Sequence, residues 1–267
     1  MFGGDLVSAK RNHAPTLRIY VTGKLTLETG DKLIGQEAFP AVQGCLAFAR
    51  LALDHGHGVG RDDLAEVLWP RKLPRAHEVA LSAIISKLRA LLVRAGLPKA
   101  DTLTTVSGGY QLSLPQTAWI DYEAAGHALH EAEIARRARQ WKKVFGPANV
   151  AYLIGRRPFF VGEEGEWVDE RREKLRTIFV RGAECLADFY LSAGDPTMAV
   201  EAAKEVVQRE PFRETGHQLL IRAYAASGNR ADALRAYEKC RKLISEELGA
   251  DPAPETQAIH LRVLRSK

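Results

Sequence analysis

The fold is decided by a stretch that opens with GRDDLAEVLWP at residues 60–70 and closes with LTTVSGGYQLSL at residues 103–114. The opening part predicts a helix: Asp62 and Asp63 stand in its first turn, where the helix dipole favours carboxylates, and Pro70 ends it. The closing part alternates apolar and polar residues around Ser107-Gly108-Gly109, which predicts a β-hairpin.

The segment between these parts predicts a long helix over about residues 75–94. Leu81, Ile85, Leu88 and Leu92 follow the i, i+4, i+7, i+11 spacing of one buried stripe. Across residues 71–99 one acid, Glu78, stands against these basic residues: Arg71, Lys72, Arg75, Lys87, Arg89, Arg94 and Lys99. A solvated helix face normally mixes both signs, so the excess indicates a polyanionic partner. The alternative is an amphipathic helix with a solvated basic face.

The residues before this stretch predict a small antiparallel sheet and a first helix. Alternating segments at residues 17–21, 24–28 and 32–34, separated by glycine-containing turns, indicate three strands. From Pro40 the apolar period becomes helical, and the glycine-rich residues 54–58 end that helix in a loop. Strands, three helices and a hairpin are the order of parts in a winged helix-turn-helix.

Composition excludes several other classes of protein. The 267 residues are enough for two domains, and no apolar run approaches the ~20 residues of a membrane-spanning helix. Residues 1–16 are polar, which predicts a flexible N-terminus without a secretory signal. The three widely spaced cysteines are interpreted as reduced core thiols. We therefore expect a cytoplasmic protein with no membrane association.

The second half predicts an all-α repeat. Leu186, Tyr190, Gly194 and Ala199 are matched 34 positions later by Leu220, Tyr224, Gly228 and Ala233, which is the period of tetratricopeptide helix pairs. Further helices are expected at about 121–139, 147–156 and 168–192, and a capping helix at 252–265. The predicted fold class is thus an α+β winged helix-turn-helix followed by an all-α, tetratricopeptide-like domain.

Specific motifs resemble a known family. Residues 64–70 (LAEVLWP), 85–92 (ISKLRALL) and the Thr105-Val106 and Gly109-Tyr110 pairs resemble the OmpR-type winged helix. Residues 230–237 (RADALRAY) and 246–254 (EELGADPAP) are similar to the bacterial transcriptional activation domain (BTAD). The combination resembles the SARP/BTAD family of bacterial transcriptional activators, with a winged helix at residues 17–115 and the activation domain at residues 120–267.

This resemblance implies promoter DNA as the ligand of the winged helix. It also implies binding as a homodimer to direct repeats and recruitment of RNA polymerase holoenzyme through the helical domain. By the family pattern, Ala80, Ala83, Ile84 and Lys87 face the major groove, and Arg89 turns toward phosphate. The full set of expected DNA-binding residues is Arg71, Lys72, Arg75, Ala83, Ile84, Ser86, Lys87, Arg89, Ser107 and Gly108.

The expected groove face departs from ordinary base readout. It offers one lysine and three apolar residues, whereas direct readout favours bidentate Arg, Asn or Gln. Ser107 stands in the wing where many relatives place an arginine. Two alternatives therefore stay open: a scaffold whose winged helix no longer reads DNA, and a regulator that senses a ligand in the repeat groove.

The sequence predicts no catalytic residues, no metal site and no cofactor. It contains no P-loop pattern, nucleophile elbow or clustered cysteine ligands. His55 and His57 lie among glycines, which favours a plain loop, and the pair His127 and His130 is more typical of a solvated helix than of a ligand set. A second basic run at residues 136–143 is interpreted as a solvated helix end or as a contact for DNA or an acidic partner.

Overall fold

The computed structural model describes residues 17–265, and the expectation for residues 1–16 lies outside them. The chain forms two compact units, the first ending at Asp121 and the second beginning at Tyr122. Within the described residues, no helix combines the length and apolarity that crossing a lipid bilayer requires.

The first unit contains strands, helices and a hairpin in the predicted order. Its elements are β1 (Leu17–Tyr20), β2 (Thr26–Thr29), β3 (Lys32–Gly35), α1 (Ala41–Leu53), β4 (Gly58–Gly60), α2 (Arg61–Leu68), α3 (His77–Arg94), β5 (Leu103–Val106), β6 (Gly109–Leu112) and β7 (Trp119–Ile120). One sheet has the order β3-β2-β1-β7 and the other has the order β4-β6-β5.

Two short strands were not predicted. The glycine loop after α1 contains β4, which pairs antiparallel with β6 and adds a third strand to the hairpin. Between the expected winged helix and the expected activation domain, β7 begins at Trp119 and pairs in parallel with β1. Both strands are too short to show a period of two, and glycine at both ends of β4 further weakens its sequence signal.

The three helices of this unit form where expected, with one shifted boundary. The stripe of α3 is buried as predicted: Leu81, Ile85, Leu88 and Leu92 each expose 2% or less. However, α3 begins at His77 instead of Arg75, because the His77 amide donates a hydrogen bond to the carbonyl of Pro74 (3.1 Å) in a preceding turn. Arg75 therefore lies in the segment that leads into the helix.

The hairpin is held close to the strand before α2. Gly109 is required there, since a Cβ at this position would lie 2.0 Å from the carbonyl oxygen of Val59. The amide of Arg61, the first residue of α2, donates to the carbonyl of Gly108 in the hairpin turn (3.0 Å). These contacts fix the hairpin tip relative to the N-terminus of α2.

Asp121 anchors the end of the first unit. Its side chain is fully buried and accepts hydrogen bonds from the amides of Val21 (2.9 Å) and Thr22 (3.2 Å) and from the Thr22 hydroxyl. Those donors directly follow β1, while Asp121 directly follows β7. One carboxylate thus accepts hydrogen bonds from two backbone amides at the end of the parallel strand pair.

We expect Asp121→Ala to lower the free energy of unfolding by about 2 kcal/mol, because three buried donors lose a charged acceptor. Asp121→Asn keeps the volume and one acceptor oxygen, so it should lie between wild type and Asp121→Ala. Urea unfolding measures both changes. A loss below about 0.5 kcal/mol for Asp121→Ala would show that water replaces the carboxylate.

The second unit is helical. Its elements are α4 (Asp121–Arg137), α5 (Phe145–Gly155), α6 (Glu166–Ala193), α7 (Pro196–Arg209), α8 (Glu214–Ala226), α9 (Arg230–Leu248) and α10 (Pro254–Arg265). One apolar cluster joins residues from α6 to α10, and a second cluster joins α4, α5 and α6. The long helix and the capping helix lie where the sequence predicts them.

The 34-residue recurrence is visible in the backbone. α6 and α8 both end before a glycine in the left-handed region, Gly194 (φ +76°) and Gly228 (φ +75°). The following helices begin with equivalent caps: the side chain of Asp195 accepts from the Met198 amide, and that of Asn229 accepts from the Asp232 amide. Each pair of equivalent residues is 34 positions apart.

All three cysteines lie in the interior as predicted. Burial raises the pKa of the Cys240 thiol to about 11, and burial also raises the pKa of Cys185. Thiolates are consequently scarce at neutral pH, which suits a packing role for these two side chains.

Candidate nucleic-acid interface

The side of α3 opposite its buried stripe forms an exposed surface. Val79, Ala83, Ser86 and Lys87 are exposed, and Ala80 and Ile84 are half-buried beside them. Val79, Ala83 and Ser86 follow i, i+4, i+7 spacing, so they form one row along the helix. The expected groove residues therefore share a single face.

Three cations at this surface have no ion-pair partner among residues 17–265. Lys72 and Arg75 precede α3, Lys87 lies on it, and all three are exposed without a carboxylate within ion-pair distance. Arg71 is also exposed, and it takes part in an interaction within the chain. Cations without internal partners keep their full charge available to an external polyanion.

Arg89 has an intramolecular role that its sequence context did not indicate. Its Nε donates to the carbonyl of Leu103 (2.9 Å) and its Nη2 donates to the Thr105 hydroxyl (2.8 Å), both on β5. Its guanidinium carbon also lies 5.9 Å from the centroid of the Tyr110 ring on β6. Arg89 therefore links α3 to the hairpin. These contacts position the exposed turn at Ser107 and Gly108 beside the helix.

Two further residues join the candidate surface. Val79 exposes 72% of its area on α3 and lies in the same row as Ala83, so the two extend the apolar part of this face. Arg61 is exposed beside the hairpin turn, and its guanidinium carbon lies 5.5 Å from the Tyr110 ring centroid. Val79 could have been found from the sequence because it is out of register with the buried stripe; nothing in the sequence links Arg61 to the hairpin.

The surface is suited to phosphates and apolar base edges more than to bidentate base contacts. Lysine and arginine neutralise phosphates, and aliphatic side chains pack on the thymine methyl group in the major groove. Ser82 and Ser86 are the exposed hydroxyl donors on this helix. No Asn, Gln or unengaged Arg lies on the helix face between Val79 and Lys87.

One member of the second basic run is paired within the described chain, and the histidines there belong to no group of metal ligands. Arg136 pairs with Asp188 on α6 (3.1 Å) and its Nη1 lies 3.8 Å from Cys185 Sγ, so this member of the run is a packing residue. Within residues 17–265, no group of three or more His, Cys, Asp or Glu is placed to hold a metal ion.

Comparison with known proteins identifies regulators of transcription. The regulatory protein AfsR of Streptomyces griseus is 28% identical over 253 residues, covering 95% of this chain and 25% of AfsR. The transcriptional regulatory protein EmbR of Mycobacterium tuberculosis is 26% identical over 232 residues, covering 82% of this chain and 56% of EmbR. The transcriptional regulator RedD of Streptomyces coelicolor is 28% identical over 235 residues, covering 81% of this chain and 62% of RedD. This chain thus spans between a quarter and about three fifths of these relatives.

A solved structure has the same fold. Mycobacterium tuberculosis EmbR in complex with a low-affinity phosphopeptide superimposes with a TM-score of 0.83 at 23% sequence identity. The match covers 94% of this chain and 65% of that chain. At this level of identity the likeness establishes the architecture alone.

The family model described as bacterial transcriptional activator domain matches residues 120–264, which is more than half of the chain. The match covers the helical unit, including the 34-residue recurrence and the capping helix α10. Together with the regulators above, it confirms the resemblance drawn from the sequence motifs. The protein belongs to the SARP/BTAD family of bacterial transcriptional activators.

Proposed function

We propose that this transcriptional activator binds promoter DNA through residues 17–115, folded as a winged helix. In this proposal α3 enters the major groove and the hairpin β5–β6 is the wing. The helical unit engages RNA polymerase holoenzyme, and two copies bind adjacent direct repeats. The family membership supports activation of transcription, while the contacts with DNA, polymerase and a second copy are inferences.

The observation that carries the proposal is the exposed face of α3 with its unpaired cations. Lys72, Arg75 and Lys87 lie on or directly before this helix and have no carboxylate partner in the described chain. In the helical unit, by contrast, many arginines are paired, as Arg136 is with Asp188 and Arg181 with Glu133. Leaving cations unpaired at one surface suits a ligand that supplies the negative charge.

The contacts divide into positioning and specifying groups. Arg71, Lys72, Arg75 and Lys87 are assigned to phosphates, with Arg61 beside the wing and Ser107 and Gly108 at its tip. Val79, Ala83 and Ile84 are assigned to thymine methyl groups, and Ser86 to a base or phosphate hydrogen bond. Arg89 acts by holding the wing in place. With so few bidentate donors, sequence preference rests in part on DNA shape and on the spacing of two half-sites.

The test is selection of a random duplex library by the purified protein at two salt concentrations. We expect a direct-repeat motif rich in A·T pairs, and binding that weakens steeply as salt rises because released counterions drive association. Recovery of salt-sensitive binding without a motif would mean that specificity needs a partner protein. Absence of binding at ~50 mM salt would overturn the proposal.

A scaffold role for the first unit is the second candidate. It is favoured by the apolar character of the α3 face, where Val79 is 72% exposed, and by the engagement of Arg89 within the protein. In that case the same face binds an apolar protein surface. Val79→Lys separates the two candidates: added charge should strengthen non-specific DNA binding but abolish an apolar protein contact.

A further inference from the structure

The helical unit contains a cavity that the DNA-binding proposal does not use. It has a volume of about 360 Å³ and lies between the end of α5, the loop after it, α6 and the end of α7. Five arginines line it: Arg156, Arg157, Arg172, Arg176 and Arg209. Among the described residues no acidic side chain lines it, so the charged groups on its walls are all positive. The volume lies within the range of ordinary ligand pockets.

Two of these arginines stack on aromatic rings and have no ion pair within residues 17–265. The guanidinium carbon of Arg156 lies 5.3 Å from the Tyr152 ring centroid, and that of Arg209 lies 5.4 Å from the Phe179 centroid. The two rings stack on each other with centroids 5.3 Å apart. These ring contacts restrict both side chains, which lowers the entropy lost when a carboxylate binds. Arg156 uses one N–H group to donate to the Tyr152 hydroxyl, and its other N–H groups can still donate to a ligand.

The charge of two other arginines is already matched. Arg172 pairs with Asp169 (3.0 Å), and Arg176 pairs with Glu173 (2.7 Å) and Glu210 (2.8 Å). The Tyr152 hydroxyl bridges Glu205 and Arg156. It donates to Glu205 (2.8 Å) and accepts from Arg156 (3.2 Å). Arg157 also takes part in an interaction within the chain. Arg156 and Arg209 thus remain the positions where an external anion would complete a pair.

One wall of the cavity is a loop with a fixed and strained backbone. Phe160 has φ of +44°, a left-handed conformation that is unfavourable for an aromatic residue. The Arg172 guanidinium holds this loop by donating to the carbonyls of Phe159 (3.0 Å), Phe160 and Glu163 (2.9 Å). Strain maintained by such bonding is typical of binding sites.

The remaining lining is apolar and partly open. Phe159 and Phe179 are buried against the cavity, whereas Val161 on the same loop exposes 79% of its area. An exposed aliphatic side chain next to an arginine pair suits a ligand with both apolar and acidic groups. A DNA backbone presents phosphates but no aliphatic or aromatic group to cover Val161.

We propose that this cavity binds an acidic peptide segment of a partner protein, with two carboxylates on Arg156 and Arg209 and an apolar side chain between Val161 and Phe159. The inference rests on the proposed function in one respect: it gives the expected protein contact of the helical unit a location. It does not depend on DNA binding by the first unit.

The experiment is selection of a displayed library of random 12-residue peptides on the full chain, with Arg156→Ala/Arg209→Ala protein as soluble competitor. We expect recovered peptides to combine Asp or Glu with Phe, Leu or Ile. A synthetic, fluorescein-labelled member should lose at least tenfold in affinity for the double variant, measured by anisotropy. The control Lys239→Ala/Arg262→Ala removes two exposed cations elsewhere in the unit, and we expect a change below twofold.

A second variant tests the proposed contact between Val161 and the apolar side chain of the peptide. Val161→Ser alters a side chain that is exposed in the free protein without adding charge, so folding should be unaffected, and peptide affinity should fall at least fivefold. Circular dichroism and thermal unfolding confirm that each variant is folded. Binding of duplex DNA by Arg156→Ala/Arg209→Ala should stay within twofold of wild type, which separates this site from the DNA surface.

Three results would overturn the proposal. The first is no peptide enrichment, or peptides that bind both double variants equally. The second is selection of peptides with acidic residues but no apolar ones, together with unchanged binding to Val161→Ser, which would indicate bulk charge attraction. The third is displacement of the peptide by duplex DNA, which would assign the cavity to nucleic acid.

Discussion

Lys72→Glu/Lys87→Glu protein is expected to bind a promoter duplex at least about 100-fold more weakly than wild type near 0.1 M salt. Each substitution removes a cation that has no ion-pair partner within residues 17–265 and places a negative charge where we propose a phosphate contact. The salt dependence should change as well, since each lost phosphate contact lowers the slope of log K against log salt by about 1. Fluorescence anisotropy across a salt series measures both quantities.

Arg89 is avoided in this test because of its structural contacts. A glutamate there would break its hydrogen bonds with β5, so lost DNA binding would not distinguish a DNA contact from a displaced hairpin. The matched control is Lys24→Glu/Lys239→Glu, which changes net charge equally at two exposed lysines outside the candidate surface. If both double variants lose affinity equally, or the first loses less than about threefold, then the α3 face is not the DNA surface.

Long periodic segments of this chain were predictable from sequence, and short ones were not. α3 and α6 carry apolar residues over several turns, so their helical period dominates any local propensity. The 34-residue recurrence was equally clear because leucine, tyrosine, glycine and alanine recur at fixed positions. β4 and β7 contain three and two residues and exist because a neighbouring strand offers hydrogen-bond partners. Such pairing depends on tertiary structure and leaves little pattern.

The candidate DNA surface was predictable as a set of positions but not in the roles of its arginines. The helical period places Ala83, Ser86 and Lys87 away from the core, and the structure agrees on their exposure. The helical period cannot reveal that Arg89 donates hydrogen bonds to β5 or that Arg61 lies beside the hairpin turn. Both contacts depend on how a long, flexible side chain meets a distant strand. Their assignment to DNA stays a prediction.

Ion pairing was the least predictable feature. Whether a basic residue is available to a ligand depends on carboxylates that are distant in sequence, as Arg136 and Asp188 demonstrate across 52 positions. For the same reason, the sequence could not show which arginines of the cavity beside α6 are paired and which are not. Sequence counts of charge therefore indicate the sign of a surface, while the structure decides which charges are already matched.

The largest expected effect on stability comes from one such distant pair, Glu184 and Arg213. Glu184 lies on α6 with 5% of its side chain exposed, and it accepts from Arg213 Nε (2.6 Å), Arg213 Nη2 (3.0 Å) and the Thr215 hydroxyl. Arg213 is 39% exposed, so only the carboxylate is deeply buried. Loss of the two partners should therefore have unequal consequences.

Arg213→Ala is expected to lower the free energy of unfolding by about 3–4 kcal/mol, because it leaves a buried carboxylate with a single hydroxyl donor. Glu184→Gln should lose only about 1–2 kcal/mol, since the amide keeps the volume and one acceptor while Arg213 can turn toward water. Urea unfolding provides both values. The exposed pair of Arg235 and Asp232 supplies the control, and Arg235→Ala should change stability by less than about 0.5 kcal/mol.

The double variant Arg213→Ala/Glu184→Gln tests whether the buried charge of Glu184 causes the loss of stability in Arg213→Ala. If an uncompensated Glu184 carboxylate destabilises Arg213→Ala, then adding Glu184→Gln removes that charge, and the double variant should be more stable than Arg213→Ala alone by about 1 kcal/mol or more. Additive losses would instead mean that Arg213 stabilises the unit through packing of its aliphatic stem. Because Arg213 immediately precedes α8 and Glu184 lies on α6, a positive result would identify this pair as the connection that fixes one helix pair of the repeat to the next.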